Sequence, residues 1–266
     1  MPRVLVIAGS DSCGGAGIQA DIKTITCLGG YAMTSVTALT AQDTRGVWDI
    51  YPVPADFVVE QAELCLADIG ADAVKIGMLF NAKIVRAVAE FLAKHKPRHV
   101  VLDPVMVSKS GNRLLEPDGE RAIMEALIPL VDVVTPNMDE ASRLAGFEVK
   151  TGPDMIRAGQ AILKLGARSV LVKGGHLPKR PGDVVLTGRE EIVLPGERID
   201  TKNTHGTGCS FASALATELG RGFKLDKAAY RAKCFVTESI RNGLDLGQGQ
   251  GPTNPLAGMR ATGLWT

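Results

Sequence analysis

Residues 203–209 read NTHGTGC, and an apolar-periodic run follows at once. Thr207 and Gly208 suit a helix start, and Phe211, Leu215 and Leu219 recur at a spacing of four on one face. The first amides of a helix have no internal partner, and the helix dipole adds roughly half a positive charge there. The backbone around Gly206, Thr207, Gly208 and Cys209 therefore suits an anion, either a phosphate or charge that grows during a reaction. A thiol held there, that of Cys209, is expected to lose its proton more easily than a free one. The alternative is a small buried thiol packed at a helix start.

Other clusters carry compatible chemistry. Lys173 closes the apolar run SVLVK before Gly174 and Gly175. It is either a point cation for a phosphate or a strand-end lysine that snorkels to water. In NMDE, Asn137 and Glu140 stand three apart and so share a helix face. Glu140 then either holds Mg²⁺, directly or through water, or completes a helix cap with Asn137. Asp103, in LDPVM, is an acid at the end of an apolar strand, among neighbours that must be buried. Gln42 follows a strand of small residues. Its amide sets a donor beside an acceptor, which matches an amino group next to a ring nitrogen, as glutamine reads adenine; otherwise it is an exposed loop residue. Residues 9–21, GSDSCGGAGIQAD, form a glycine-rich turn entering a helix. The turn lacks the ending of a Walker loop and the third glycine of a dinucleotide fingerprint. It is either a tight turn or a place where backbone approaches a ligand. Asp21, just beyond, is either a solvated helix acid or an acceptor for a substrate.

The elements that must position these residues alternate. RVLVIA, YAMTSVTAL, AVKIG, HVVLD, VDVVT and SVLVK read as strands, and DVVLTG with EIVLPG as a hairpin. Ile18, Ile22, Ile25 and Leu28 fall on one face of a first helix that Gly29 and Gly30 stop. Further helices are expected from Pro54, over 81–95, near 118–130, from about Asn137 and Asp154, and over 208–219 and 225–242, with an irregular tail. Strand–helix alternation predicts an α/β fold with a mostly parallel sheet covered on both faces. With no linker and no repeat, 1–266 reads as one domain. GSDSCGGAG, TAQDTRG, GML, DPVM, TPNMDE and KGGH each follow a strand, and such sheets bind ligands beyond the carboxyl ends of their strands.

Composition narrows the class. Lys plus Arg number 30 against 29 Asp plus Glu, a net charge of +1, which points away from nucleic acid and from anionic membrane surfaces. No apolar run reaches the ~18 residues of a membrane span, and MPRVLVIAGSD reads as a first strand rather than a signal peptide. Five cysteines without metal spacing fit free thiols in a reducing, cytoplasmic setting.

Together the stretches AGSDSCGGAGIQADIKT, TALTAQDTRGV, KIGML, VLDPVMVSKSG, TPNMDEA, VKGGH and THGTGCSFASALA resemble the ribokinase-like superfamily, and within it the bacterial hydroxymethylpyrimidine/phosphomethylpyrimidine kinases of thiamine biosynthesis. The resemblance implies ATP-dependent phosphorylation of 4-amino-5-hydroxymethyl-2-methylpyrimidine and then of its monophosphate. It also implies that Asp21, Gln42 and Met78 line a pyrimidine pocket with Gly9 and Val105 nearby, and that Asp103 and Glu140 surround Mg²⁺ and phosphates. Lys173 would face the nucleotide phosphates, and Thr207, Gly208 and Cys209 would form the anion hole. Relatives are often homodimers. Most sugar kinases of the superfamily carry aspartate where Cys209 stands, whereas the pyrimidine kinases share the cysteine. Cys13 departs from a usual serine, and GQGQGPTNPL departs from a common GPVNH. The length leaves no room for the thiamine-phosphate-synthase domain of some relatives. The nearest rival is a pyridoxal or pyridoxine kinase, against which Gln42 argues, since a pyridoxal pocket has no amino group to read. A Cys/His hydrolase using Cys209 with His176 or His205, or a non-catalytic pyrimidine binder, are the rivals from other classes.

Overall fold

A computed structural model describes residues 1–108, 111–175, 177 and 182–262. His176 and part of the VSKSG stretch lie outside them. One sheet of nine strands organises the chain. In chain order the strands are β1 (Arg3–Asp11), β2 (Tyr31–Gln42), β3 (Val47–Pro52), β4 (Ala73–Ile76), β5 (Val100–Leu102), β6 (Val133–Val134), β7 (Ser169–Val172), β8 (Asp183–Thr187) and β9 (Glu191–Leu194). In space they run β3-β2-β1-β4-β5-β6-β7-β8-β9. The pairs from β2 through β1 and β4 to β7 are parallel, and the outer pairs at both edges are antiparallel. The hairpin expected near the end is β8–β9. Strand β3 is an addition: it lies at the sheet edge with Trp48 and Tyr51 exposed, and so lacks the continuous buried apolar run of the central strands.

Alternate residues of the strands feed two cores. Leu5, Ile7, Val74, Ile76 and Leu102 face α2 (Ala55–Asp68), α3 (Ala82–His95), α5 (Met138–Ala145) and α6 (Gly152–Leu163). Val4, Val6, Ala8, Ala73 and Val101 face α1 (Gly17–Cys27), α7 (Thr207–Gly220) and α8 (Leu225–Arg241). That period of two is what a strand covered on both sides requires. The helix expected near 118–130 is divided: α4 (Pro117–Ala122) runs into a π turn, Ile123–Leu127, and a 3₁₀ turn, Ile128–Leu130, which ends it at Pro129. The tail gains a short helix, α9 (Pro255–Ala261), started by its proline. Among the described residues no helix is long and apolar enough to cross a membrane.

Beneath the carboxyl ends of the strands lies a buried ion pair. Lys75 of β4 points toward α1 and α7, the second of the two faces. Its Nζ donates to both oxygens of Asp21 at 2.9 and 2.8 Å, with both side chains fully buried. Ser213, on α7, donates to Asp21 Oδ1 at 2.7 Å. This corrects two expectations. Asp21 does not line a substrate pocket; it lies under the cleft floor as the counter-ion of Lys75. Ile22 is 38% exposed, because Asp21 takes the inward position on α1.

Removing one partner of a buried pair strands the other charge and costs about 3–5 kcal/mol. Lys75→Met should therefore lower the unfolding free energy measured in urea by that amount, whereas the double variant Asp21→Asn/Lys75→Met should recover most of it. Equal midpoints for Lys75→Met and the parent would show that the pair does not hold the fold.

Candidate active site

A cleft of about 460 Å³ opens above the carboxyl ends of β1, β2 and β4 to β7. The chain turns in opposite directions from β1, to β2 on one side and to β4 on the other, so the cleft occupies the crevice where such sheets bind ligands. Every sequence-predicted residue except Asp21 borders it, save that Gly206, Thr207, Gly208 and Cys209 enter as one backbone segment.

One end is apolar with a polar rim. Met78 packs with Ala38, Val47 and Leu114, with Val105 against them, and Gly9 lies beside Met78. Gln42 ends β2, and its amide meets the Thr40 hydroxyl at 3.1 Å and His205 Nε2 at 3.3 Å. His205 Nε2 also lies 2.9 Å from Asp11 Oδ2. Asp11 ends β1 and accepts the amides of Cys13, Gly15 and Ala16 at 2.9, 3.0 and 2.8 Å. Burial pushes its carboxyl up, but His205 and these amides outweigh that and hold it at about 2.

The middle of the cleft is charged. Helix α7 starts from Gly206, whose φ of 79° is left-handed and whose Cβ, if present, would run into the Gly15 carbonyl. The amides of Gly208 and Cys209 meet no acceptor among the described residues, as the first turn of a helix requires. A Cβ at Gly208 would lie 3.4 Å from both Lys173 Nζ and Asp103 Oδ2. The helix start, the lysine and the carboxylate thus converge. Lys173 donates to Asp103 Oδ1 at 2.7 Å, and Thr135 donates to the same oxygen at 3.2 Å. Glu140 realises the cap: it accepts the Asn137 amide at 2.8 Å while Asn137 accepts that of Glu140 at 2.9 Å. Cap and cleft are compatible, because only Oε2 is used. Burial, reinforced by Asp103 and opposed by Lys173, pushes the Glu140 carboxyl up to about 7. The buried carboxylates of Asp103 and Glu140 are hard-oxygen donors of the kind that fit a divalent cation such as Mg²⁺. The one trio of possible metal-binding side chains among the described residues is Asp11, Cys13 and His205, whose contacts are hydrogen bonds.

Cys209 differs from expectation. It stands in the first turn of α7, yet burial pushes its thiol up to about 11 against the pull of Lys75 and the Gly17 amide. Loss of hydration outweighs the helix dipole, so the thiol is neutral near pH 7. The hydrolase reading lacks its defining contact with His205: no hydrogen bond joins Cys209 to His205, whose Nε2 meets Asp11 and lies near Gln42; the other candidate base, His176, lies outside the described residues.

The far end holds residues that the sequence did not single out. Asp183, at the start of β8, accepts Lys233 of α8 at 2.7 Å and the Gly174 amide at 3.0 Å. Val236, Thr237 and Ile240 of α8 line the wall beyond. Lys75 was legible in principle: a lysine inside AVKI needs a buried partner. Asp183 and Lys233 left no such signal.

Residues 11–254 match the phosphomethylpyrimidine kinase family. The chain belongs to it. A hydroxymethylpyrimidine/phosphomethylpyrimidine kinase of Haemophilus influenzae is 43% identical over 260 residues, covering 96% of this chain and 97% of that protein. A thiamine biosynthesis bifunctional protein of Geobacter sulfurreducens is 48% identical over 254 residues; the chain spans only 52% of its length. The structure of an ADP complex of Bacillus subtilis pyridoxal kinase superposes with a TM-score of 0.90 at 40% identity, covering 97% of this chain and 98% of that one. Membership of this phosphomethylpyrimidine kinase family makes the chain a phosphotransferase with the ribokinase-like fold.

Asp11 also sets an acid limit for the kinase. Its folded pKa lies below the ordinary 3.8, at about 2, so its contribution to stability is complete above 3.8 and is lost as pH falls through about 2. Thermal unfolding scanned from pH 5 to pH 2 should therefore fall more steeply for the parent than for Asp11→Asn. Parallel curves would remove Asp11 from the acid response.

Proposed function

We propose that this kinase phosphorylates 4-amino-5-hydroxymethyl-2-methylpyrimidine with ATP and Mg²⁺, then phosphorylates the monophosphate to the diphosphate, in thiamine diphosphate synthesis. One observation carries the reading: a single cleft joins the Gln42 amide at an apolar end to the Lys173 ammonium and open α7 amides at its middle. The names of the Haemophilus and Geobacter relatives support it. One kinase domain over 1–266 accords with the single sheet.

In this proposal Gln42 reads the amino group and ring nitrogen, while Met78, Val105 and Gly9 hold the ring face. The α7 amides and Lys173 receive the transferring phosphoryl group, whose charge they are fixed to stabilise before it develops. Mg²⁺, held by Asp103 and Glu140, would supply charge neutralisation on the phosphates. Lys173 rests on Asp103 until phosphate oxygens compete for it. Val236, Thr237 and Ile240 line the end where the nucleotide base would lie. Cys209 acts as a neutral thiol in the wall of the anion hole, not as a thiolate base. At pH 7 roughly one thiol in ten thousand is ionised when its pKa is about 11. Pyridoxal kinase is the second reading, favoured by the likeness to the Bacillus subtilis structure.

The deciding experiment supplies ATP with and without Mg²⁺ to the aminopyrimidine alcohol or to pyridoxal, and follows ADP and the phosphorylated products. Expected are a monophosphate and then a diphosphate of the aminopyrimidine, only with Mg²⁺. Pyridoxal phosphate alone would overturn the assignment. Gln42→Ala should weaken the pyrimidine by about tenfold or more, the cost of ~1–3 kcal/mol for a lost buried partner, and leave ATP binding unchanged in calorimetry.

Cys209→Ala should change phosphorylation of the alcohol and of the monophosphate alike in single-turnover kinetics. Only the alcohol must lose a proton. A loss confined to that step would reinstate Cys209 as a base.

A further inference from the structure

We infer that His205, itself held by Asp11, and Thr40 fix which way round the Gln42 amide faces the cleft, and so fix how an aminopyrimidine edge is read. The inference rests on the proposed substrate class and concerns residues without an assigned role in it.

Donor and acceptor counts carry the argument. Which way an amide faces is decided by the donors and acceptors around it. Asp11 is an anion and can only accept, so His205 Nε2, 2.9 Å away, carries a proton and donates. The same nitrogen lies 3.3 Å from Gln42 Nε2. Two donors would then face each other. On the other side, Thr40 Oγ1 lies 3.0 Å from the Ser10 carbonyl and 3.1 Å from Gln42 Oε1. A hydroxyl has one proton. The Ser10 carbonyl can only accept, so Thr40 gives its proton there and meets Gln42 as an acceptor. An oxygen would then face an oxygen.

A half-turn of the Gln42 amide resolves both conflicts. Oε1 then faces the His205 N–H, sharing its single proton as a second acceptor behind Asp11, and the NH₂ group donates to Thr40. No other atom has to move. The His205 ring packs close over Gly15, where a Cβ would run into it. Its backbone is tied as well: the His205 amide donates to Gly251 at 3.0 Å and its carbonyl accepts from Thr253 at 3.2 Å.

The chemical consequence is directional. The amide's free acceptor faces the cleft on the His205 side and its free donor on the Thr40 side. An aminopyrimidine must bring its amino group toward His205 and its ring nitrogen toward Thr40. A fixed acceptor also penalises an analogue without the amino group, since Oε1 stays unpaired. If the amide could turn, it would offer its NH₂ group instead, and the penalty would shrink. His205 and Thr40 are thus positioning residues for specificity.

The test compares kcat/KM for 4-amino-5-hydroxymethyl-2-methylpyrimidine and its desamino analogue, 5-hydroxymethyl-2-methylpyrimidine. It uses the parent, His205→Phe and Thr40→Val, with Mg²⁺-ATP. The ratio should fall at least tenfold in each variant, whatever happens to the absolute rates. A merely structural role would depress both substrates together and keep the ratio. Thr40→Val carries the test if His205→Phe does not fold. A ratio kept in the folded variants overturns the inference while leaving the proposed function standing. A parent that does not favour the amino substrate overturns the proposed function and this inference with it. A crystal structure with the bound aminopyrimidine gives a second readout: its amino nitrogen on the Thr40 side of Gln42 would overturn the orientation.

Discussion

The buried contact of Lys75 with Asp21 and Ser213 ties three elements that approach the cleft from different directions: β4 from the sheet, α1 from the glycine turn and α7 from the anion hole. Charges taken out of water are tolerated only in such company, since each would otherwise lose its hydration without replacement. The contact therefore admits few arrangements. Where Asp21 goes, α1 and the turn before it must follow. Where Ser213 goes, the start of α7 follows, and with it the open amides of Gly208 and Cys209. The floor of the site is thus set by a requirement of solvation.

Above that floor the charges nearly compensate. Lys75 answers Asp21, Lys173 answers Asp103, and Lys233 answers Asp183. Among the described residues Glu140 has no ion pair of its own, and burial, reinforced by Asp103 and opposed by Lys173, makes its carboxyl resist ionisation. A cleft of this kind presents localised donors to an anion without a strong field around the molecule, in keeping with the net charge of +1. It also explains why the Cys209 thiol stays protonated: a dipole and one nearby ammonium, already paired, do not replace lost water.

Much of this was legible in the chain because the strands follow two simple rules. The apolar runs RVLVIA, AVKI and SVLV read as buried strands, and each was followed by the residue type that the cleft uses. Gln42, Met78, Asp103, Glu140, Lys173 and the segment from Gly206 to Cys209 all reach it. The failures share one cause: local pattern does not reveal partners distant in sequence. Asp21 looked like a pocket acid because nothing near it announces Lys75, 54 residues away. His205 entered only as a candidate base, since its tie to Asp11 spans 194 residues. The Cys209 proton depended on burial, which a helix-start motif does not encode. Glu140 was ambiguous between cap and metal, and the cap is present without settling the other role.

The position of β1 has a consequence for how the chain acquires its shape during synthesis. β1 is made first, pairs with β2 within a few dozen residues, and then waits for β4 to close its other side. Its second face waits longer still, for α7 and α8 near the end of the chain. Until those helices emerge from the ribosome, Val4, Val6 and Ala8 have only α1 for cover, and the contact of Asp21 and Lys75 lacks Ser213. Contacts of such long sequence separation form late and slowly. The nascent protein therefore carries a half-covered apolar sheet face until α7 and α8 are made, and the step that closes that face is the same step that brings the α7 amides over the cleft.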